Sequence, residues 1–377
     1  MTGDEGLARR HGAGAWEQWG FGKTMRGRPI FAAGALLLAL VVTSCSDDTT
    51  GGSANGTTGA STAAAQGAAE GKTTYPLTIT NCGKKYTFDK APSRVVVMNG
   101  GSVAEVSSLI ELGVSDRIVA NAQNYGASDV PGRAEAIDAL PTGGVTLNDL
   151  QDIPREAMLG LRPDLVISTY GGGFDAASGF ATRDDLRGLG ANSYVPASAC
   201  GTDGMTAGAP TIEDSYAILR DFGKIFDVSG KAQEVIAASK SRIGEVTKAL
   251  AGKPDANVLL VFPGMGADDF SSIAGAGVWN DILDKAGAAN PFYDGSESTF
   301  LTISKEKLAS TDIDAVLVVN YMNPDPDKAA KTILAQFPQW DATRANRYLV
   351  LADSIYYGPN NDVAVEKIAK LLHPDVF

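Results

Sequence analysis

Three cysteines and two histidines are all the thiol and imidazole chemistry in this 377-residue chain. The cysteines stand at Cys45, Cys82 and Cys200, and an odd count leaves at least one without an intramolecular partner. His11 and His373 supply neither an HExxH pair nor a Cys/His cluster with zinc spacing, and no histidine-based triad can be assembled from them. Gly22-Lys23-Thr24 lacks the upstream glycine of a P-loop, GxSxG is absent, and Gly275-Ala276-Gly277 continues into Val278-Trp279-Asn280 without completing a dinucleotide fingerprint. Asn323-Pro324-Asp325-Pro326-Asp327 carries prolines and lacks the turn glycine of a calcium loop, so it reads as an ordinary turn. A net charge of −12 argues against nucleic acid, which requires a basic footprint. The chemistry available is that of binding; no enzymatic activity and no resident metal are expected.

The surroundings of Cys45 explain the odd thiol. Lys23, Arg26 and Arg28 precede the apolar run Ile30–Val42, which is shorter than the roughly 17–25 residues that span a bilayer. A basic stretch, a brief apolar run and the small residues Thr43 and Ser44 make a secretory signal peptide. Residues before Met25 read as an upstream extension, and translation starts at Met1 or Met25. Cleavage between Ser44 and Cys45 resembles the lipobox of bacterial lipoproteins, and that resemblance implies a diacylglycerol on the Cys45 thiol. Ser46–Thr74, a Gly/Ser/Thr/Ala tract without aromatic or β-branched aliphatic residues, cannot bury a core and reads as a flexible tether reaching on the order of 30 Å. Once exported, Cys82 and Cys200 lie in an oxidising compartment and are expected to form a disulfide. The expected localisation is the outer face of the cytoplasmic membrane, through the lipid.

The elements behind these residues repeat. In the first half, Arg94–Met98 reads as a strand, Asn99-Gly100-Gly101 as a turn, Val103–Leu112 as a helix ending at Gly113, and Arg117–Ala120 as a second strand. Arg155–Leu161 then reads as a helix and Asp164–Ser168 as a strand. In the second half, Asn257–Phe262, the turn at Gly264 and Gly266, Trp279–Lys285, Lys305–Ala309 and Asp314–Val319 follow the same order. Glu156 precedes Asp164 at the interval at which Glu306 precedes Asp314. Continuous apolar strands alternating with helices imply parallel sheets covered on both faces. Between the halves, Ala232, Val235, Ile236, Ile243, Val246 and Leu250 fall on one face of a helix over Ser229–Ala251. The expected fold is two doubly wound α/β lobes joined by one long α-helix. Its parts are 1–44 (leader and signal peptide), 45–74 (lipidated cysteine and tether), 75–228 (N-terminal lobe), 229–251 (interlobe helix) and 252–377 (C-terminal lobe).

ITNCGKKYTFDKAPSRVVVMNGGSVAEVSSLIELG, REAMLGLRPDLVIS, GVWNDILDKAGAANPF and ISKEKLASTDIDAVLVV resemble, in order, successive blocks of the iron–siderophore, haem and vitamin B12 substrate-binding proteins of bacterial ABC importers. The resemblance implies a class III periplasmic-binding-protein fold, a shallow interlobe cleft with little closure, and one exposed glutamate per lobe that pairs with the importer's membrane subunits. The matching positions are Glu156 and Glu306; without a partner, each would simply favour the first turn of its helix through the macrodipole. The partners implied are a small iron chelate, the importer's membrane subunits and the membrane itself, with the protein a monomer.

Ligands of open α/β sheets bind outside the carboxyl ends of the strands. That places Asn99, Ser102, Tyr125, Tyr170, Phe174, Met265, Phe270, Tyr321, Tyr356 and Tyr357 as candidate cleft residues. Aromatics suit a large, partly apolar ligand. A ferric catecholate, triply anionic, calls for arginines, and the nearest, Arg183 and Arg187, lie in a helix. A ferric siderophore of hydroxamate or other neutral type is therefore favoured. Haem with an axial tyrosine or cobalamin is the alternative, as is an envelope-anchored sensor without transport; an extracytoplasmic hydrolase lacks a histidine base. Mass spectrometry of protein extracted from membranes is expected to find the mature chain beginning at Cys45 with diacylglycerol on its thiol. An unmodified Cys45 would remove the anchor and leave the repeat standing.

Overall fold

The computed structural model describes residues 72–123, 128–145, 152–201, 210–263, 270–320, 323–352 and 358–377. The leader, Cys45 and the tether lie outside them. The body opens with a hairpin of strands β1 (Leu77–Asn81) and β2 (Lys84–Phe88), antiparallel, with Asn81 opposite Lys84. Its two-residue turn, Cys82-Gly83, has positive φ at both positions (48° and 74°), the backbone that matches the twist of a tight hairpin. Just upstream, the Thr73 amide donates to Asp227 Oδ1 (2.5 Å), the Thr73 hydroxyl to the Lys224 carbonyl (2.8 Å), and the Tyr75 hydroxyl to the Ile225 carbonyl (2.7 Å).

The N-terminal lobe continues with β3 (Val95–Val97), α1 (Ala104–Glu111), β4 (Ile118–Asn121), α2 (Arg133–Asp138), α3 (Arg155–Gly160), β5 (Leu165–Ile167), α4 (Arg183–Gly188) and β6 (Asn192–Tyr194). Its sheet runs β4-β3-β5-β6, every pair parallel. All three residues of β3 and of β5 are buried, as strands covered on both faces require. Cys82 and Cys200 form a disulfide with Cα atoms 5.4 Å apart. It fastens the hairpin turn to the segment after β6.

Helices α5 (Ile212–Ile225) and α6 (Ser229–Ala249) follow, and α6 buries Ala232, Ile236, Ser239, Ile243 and Val246 along one face. Leu250 caps α6, so the helix stops two residues short of the Ala251 expected from the apolar spacing, ahead of Gly252 at φ 81°. The C-terminal lobe comprises β7 (Ala256–Val261), β8 (Phe270–Ile273), α7 (Trp279–Lys285), β9 (Ala288–Ala289), β10 (Phe300–Ile303), α8 (Lys305–Ala309), β11 (Ala315–Asn320), α9 (Pro326–Gln336), α10 (Asp341–Arg344), β12 (Tyr348–Ala352) and α11 (Asn361–Leu372). His373 caps α11, is buried, and lies 3.4 Å from the Gly287 carbonyl through Nε2, a helix-end role.

The parallel strands of the second sheet run β9-β7-β11-β12, the order of β4-β3-β5-β6 in the first. The sheet is not wholly parallel. Strands β8 and β10 pair antiparallel with each other, and β8 joins β7 at Val261–Ser272. Phe270–Ile273 and Phe300–Ile303 are too short to carry a periodic signal, so this added edge is absent from the sequence expectation.

The two repeated aspartates have a mechanical role. The Asp164 carboxylate accepts from the amides of Ser93 (2.8 Å) and Arg94 (2.9 Å), while the Asp164 amide donates to the Arg94 carbonyl. Asp314 does the same in the other lobe, accepting from the Asn257 amide (2.7 Å) and donating its own amide to the Asn257 carbonyl. Each aspartate registers the start of one parallel strand against its neighbour.

One apolar cluster crosses both lobes. It runs from Val95, Val97 and Leu109 through Phe222, Ile236, Ile243 and Val246 to Leu260, Trp279, Val365 and Ile368. Ile243→Ala is expected to cost about 2–4 kcal/mol, the usual range for a buried isoleucine truncated to alanine. Calorimetry should show the body still melting in one cooperative transition at a lower midpoint; two separated transitions would mean that the lobes are energetically independent.

Candidate functional site

At the carboxyl ends of β3, β4 and β5 the N-terminal lobe gathers uncharged and buried polar groups. Asn99 lies two residues past the end of β3 and is 1 % exposed. Its amide donates to Asp152 Oδ1 (3.1 Å), and its own Oδ1 accepts from the Gly101 amide (3.1 Å). Gly100 has φ +67°, and a Cβ there would collide with Thr169 Oγ1, so the turn needs glycine both for backbone and for space.

Beneath this turn lies Glu105, fully buried in the first turn of α1. Its Oε2 accepts from Gln123 Nε2 (2.7 Å) and Thr169 Oγ1 (3.0 Å), and its Oε1 is buried without a hydrogen-bond partner. Burial raises the Glu105 pKa, and the donors from Gln123 and Thr169 only partly oppose it. Gln123 is itself held by Asn121, which donates Nδ2 to the Gln123 carbonyl (2.7 Å) and accepts the Gln123 amide on Oδ1 (3.1 Å). Asp152 is the second buried acid. Burial pushes its carboxyl up to about 6, against the pull of the Asn99 and Ile153 amides. Neither acid was singled out by its residue type, yet a signal existed for Glu105: Glu105, Leu109 and Leu112 share the apolar face of α1.

Several candidate cleft residues are held by the protein's own contacts. The Ser102 side chain accepts the Ala104 amide (3.0 Å) and sets the entry to α1. Phe174 is 7 % exposed and belongs to the core, beneath the Arg183 guanidinium at 5.5 Å from its ring centroid. Phe270 lies in β8 with its ring 5.8 Å from that of Phe337, which stacks on Trp340 at 4.1 Å. An aromatic near a strand end thus fills the core when an apolar layer lies under it. Tyr170 is half-buried at the end of β5, and Asn320 ends β11 with its Oδ1 buried. Gly171 serves a close approach within the chain, since a Cβ would lie 2.6 Å from the carbonyl oxygens of Cys200 and Gly201. Tyr125, Met265, Tyr321, Tyr356 and Tyr357 lie outside the described residues.

Arg183 is engaged by the hairpin and β6. It donates to Asn81 Oδ1 (2.5 Å), Ser193 Oγ (2.8 Å) and the Ser193 carbonyl (3.1 Å), and stacks on Tyr86 at 4.7 Å. Burial lowers its pKa. Among the described residues no group of three or more His, Cys, Asp or Glu side chains is arranged to hold a metal.

Glu156 and Glu306 occupy matching places. Each is exposed at the second residue of its helix, after Pro154 in α3 and after Ser304 in α8. Both helices lead directly into a parallel strand (β5 and β11), so their amino ends stand on the carboxyl-end side of the sheets, where the cleft belongs. Arg155, beside Glu156, is drawn off by Asp185 through two hydrogen bonds (2.7 and 3.2 Å).

Two α/β lobes with the same strand order, sharing a core through α5, α6 and α11, define a two-lobed binding protein. The family comparison agrees: residues 96–355 match the model described as "Periplasmic binding protein", and the chain belongs to that family. Among solved structures it is similar to an ABC-type Fe3+-hydroxamate transport system protein from Saccharomonospora viridis (26% identity, 79% of this chain and 99% of that one, TM-score 0.62). It shares the fold of a periplasmic binding protein from Veillonella parvula (19% identity, 79% and 97% covered, TM-score 0.64). It also shares the fold of the periplasmic haem-binding protein RhuT from Roseiflexus sp. RS-1 (18% identity, 76% and 99% covered, TM-score 0.56). A search of curated proteins finds no match.

A carboxyl raised in the folded state favours folding while it holds its proton, and that contribution is lost as pH rises from the unfolded value of 3.8 through about 6. Asp152→Asn cannot ionise. Its stability relative to the natural chain is therefore expected to rise by up to about 3 kcal/mol between roughly pH 4 and pH 7. Urea unfolding at a series of pH values reads this directly, and a difference that stays flat would mean Asp152 is ionised in the fold.

Proposed function

We propose that this protein captures a ferric siderophore of neutral, hydroxamate type in the cleft between its lobes and hands it to an ABC importer. The observation that carries this reading is the character of the N-terminal strand ends: Asn99, Gln123 and Thr169 hydrogen-bond two buried acids whose pKa values burial raises, and Tyr170 follows β5. Arg183, a candidate arginine of helix α4, is held by Asn81 and Ser193. Groups of this kind suit a neutral chelate better than a triply charged one. The printed ligand class of the 26%-identical Saccharomonospora protein points the same way. Haem is the second reading, supported by the phenol oxygen that Tyr170 would offer as an axial ligand and by the haem-binding proteins that share this fold.

Delivery follows from position. A lipid on Cys45 would keep the body beside the membrane after export, and the tether would give it reach. Glu156 and Glu306, presented at equivalent helix starts, would give the importer one carboxylate from each lobe.

Two measurements test this function. Trp279 and Trp340 are both buried, and a coloured ferric chelate held in the cleft should quench their emission saturably. Ferrioxamine B is expected to bind at about micromolar Kd or tighter, roughly −8 kcal/mol, and ahead of ferric enterobactin, haem and cobalamin. Tighter haem binding would move the assignment to the second reading, and no binding of any of the four would overturn it. Combined Glu156→Ala and Glu306→Ala should abolish uptake by cells while leaving chelate affinity unchanged; normal uptake would favour a sensor instead.

A further inference from the structure

Most polar links between the lobes pass through the helices. Ile212 at the start of α5 donates its amide to Asp281 of α7 (2.8 Å), Asn361 of α11 donates to Ser215 Oγ of α5 (2.7 Å), and Arg242 of α6 pairs with Asp362 (2.6 Å). Asp129 is different. It lies beyond β4, the edge strand of the first sheet, and its carboxylate reaches the edge strand of the second. Oδ2 accepts the amide of Ala352, the last residue of β12 (2.9 Å), and Oδ1 accepts from Lys367 Nζ on α11 (2.6 Å).

Both oxygens of one carboxylate are therefore bound by the opposite lobe, across 223 and 238 residues of sequence. The Asp129 side chain is 12% exposed and that of Lys367 38%, so the pair is sheltered at the acid and wetted at the amine. Such a charge-assisted contact is stronger than a neutral one. Ala352 is buried, and among the described residues β12 is the edge strand of its sheet; without Asp129 its amide would lose this partner. The shared core and α6 hold the lobes through the helices, where a relative rotation would pivot. Asp129 holds α11 through Lys367 and reaches beyond the helices at Ala352, on the carboxyl-end side of β12.

We propose that Asp129 is a positioning residue for ligand binding: by tying the β4 edge of one lobe to Ala352 and Lys367 of the other, it fixes the width of the cleft along that edge. The ligand part of this inference rests on the function proposed above. The geometric part does not.

The test uses the body with Asp129→Ala and Asp129→Asn beside the natural protein, read by amide hydrogen exchange, small-angle scattering and ferrioxamine B binding. Asp129→Ala should speed exchange at Ala352 and raise the radius of gyration. It should also weaken ferrioxamine B about tenfold or more, the equivalent of at least 1.4 kcal/mol, mainly through a faster off-rate. Asp129→Asn keeps an acceptor for Ala352 and loses the charge facing Lys367, so it should recover part of the affinity even if the alanine variant folds poorly. Unchanged exchange and scattering in both variants would overturn the pin. Faster exchange with unchanged ferrioxamine affinity would overturn the positioning role and leave a structural contact. If the natural protein binds no ferrioxamine B, the functional reading fails by itself, while exchange and scattering still decide whether Asp129 sets the lobe separation.

Discussion

A single helix that must satisfy two cores constrains this protein more than any individual site residue does. Ser229–Ala249 turns one face, Ala232, Ile236, Ile243 and Val246, into an apolar cluster that contains β3 and β5 on one side and β7, α7 and α11 on the other. Those side chains lie in one cluster with residues of both lobes, and burying each large one contributes roughly 1.5–3 kcal/mol to that shared layer. Buried polar contacts reinforce the same layer: Tyr216 with Ser239 and Ser215 with Asn361. The lobes are halves of one packed object.

Preorganisation of that kind shifts where binding energy goes. A site that closes over its ligand spends part of the contact energy on ordering itself, and a fixed one does not. The strand ends of the N-terminal lobe carry the same logic to smaller scale. Gln123 is fixed by Asn121 and by Glu105, Thr169 by Glu105, and Asn99 by Asp152. The two acids in this layer act as fixed acceptors in a dry environment, where an ionised carboxylate is disfavoured and a hydrogen bond is worth more than in water.

Much of the fold was legible because local signals agreed with global ones. The helices Trp279–Lys285 and Lys305–Ala309 have the bounds that their spacing implies, and the matched interval from Glu156 to Asp164 and from Glu306 to Asp314 marks two copies of one strand-registering device. What stayed hidden is non-local. The β8–β10 edge depends on two four-residue strands that find each other across α7, and Asp129 meets Ala352 across most of the body. Residue type could place aromatics near strand ends, but not say which layer they would enter; Phe174 and Phe270 went to the core because apolar neighbours lay within reach. Glu105 is a charge-bearing residue on an apolar helix face, a local contradiction of the kind that marks polar sites inside a core.

The first described residues of the body carry a further consequence. Thr73 and Tyr75 are bonded to Asp227, Lys224 and Ile225 at the junction of α5 and α6 rather than left to lead freely into the hairpin. Tension arriving at Thr73 is therefore delivered first to the turn between α5 and α6. These three bonds share the load before strand β1 can be peeled from β2, and behind them the Cys82–Cys200 link keeps the hairpin turn from unzipping further.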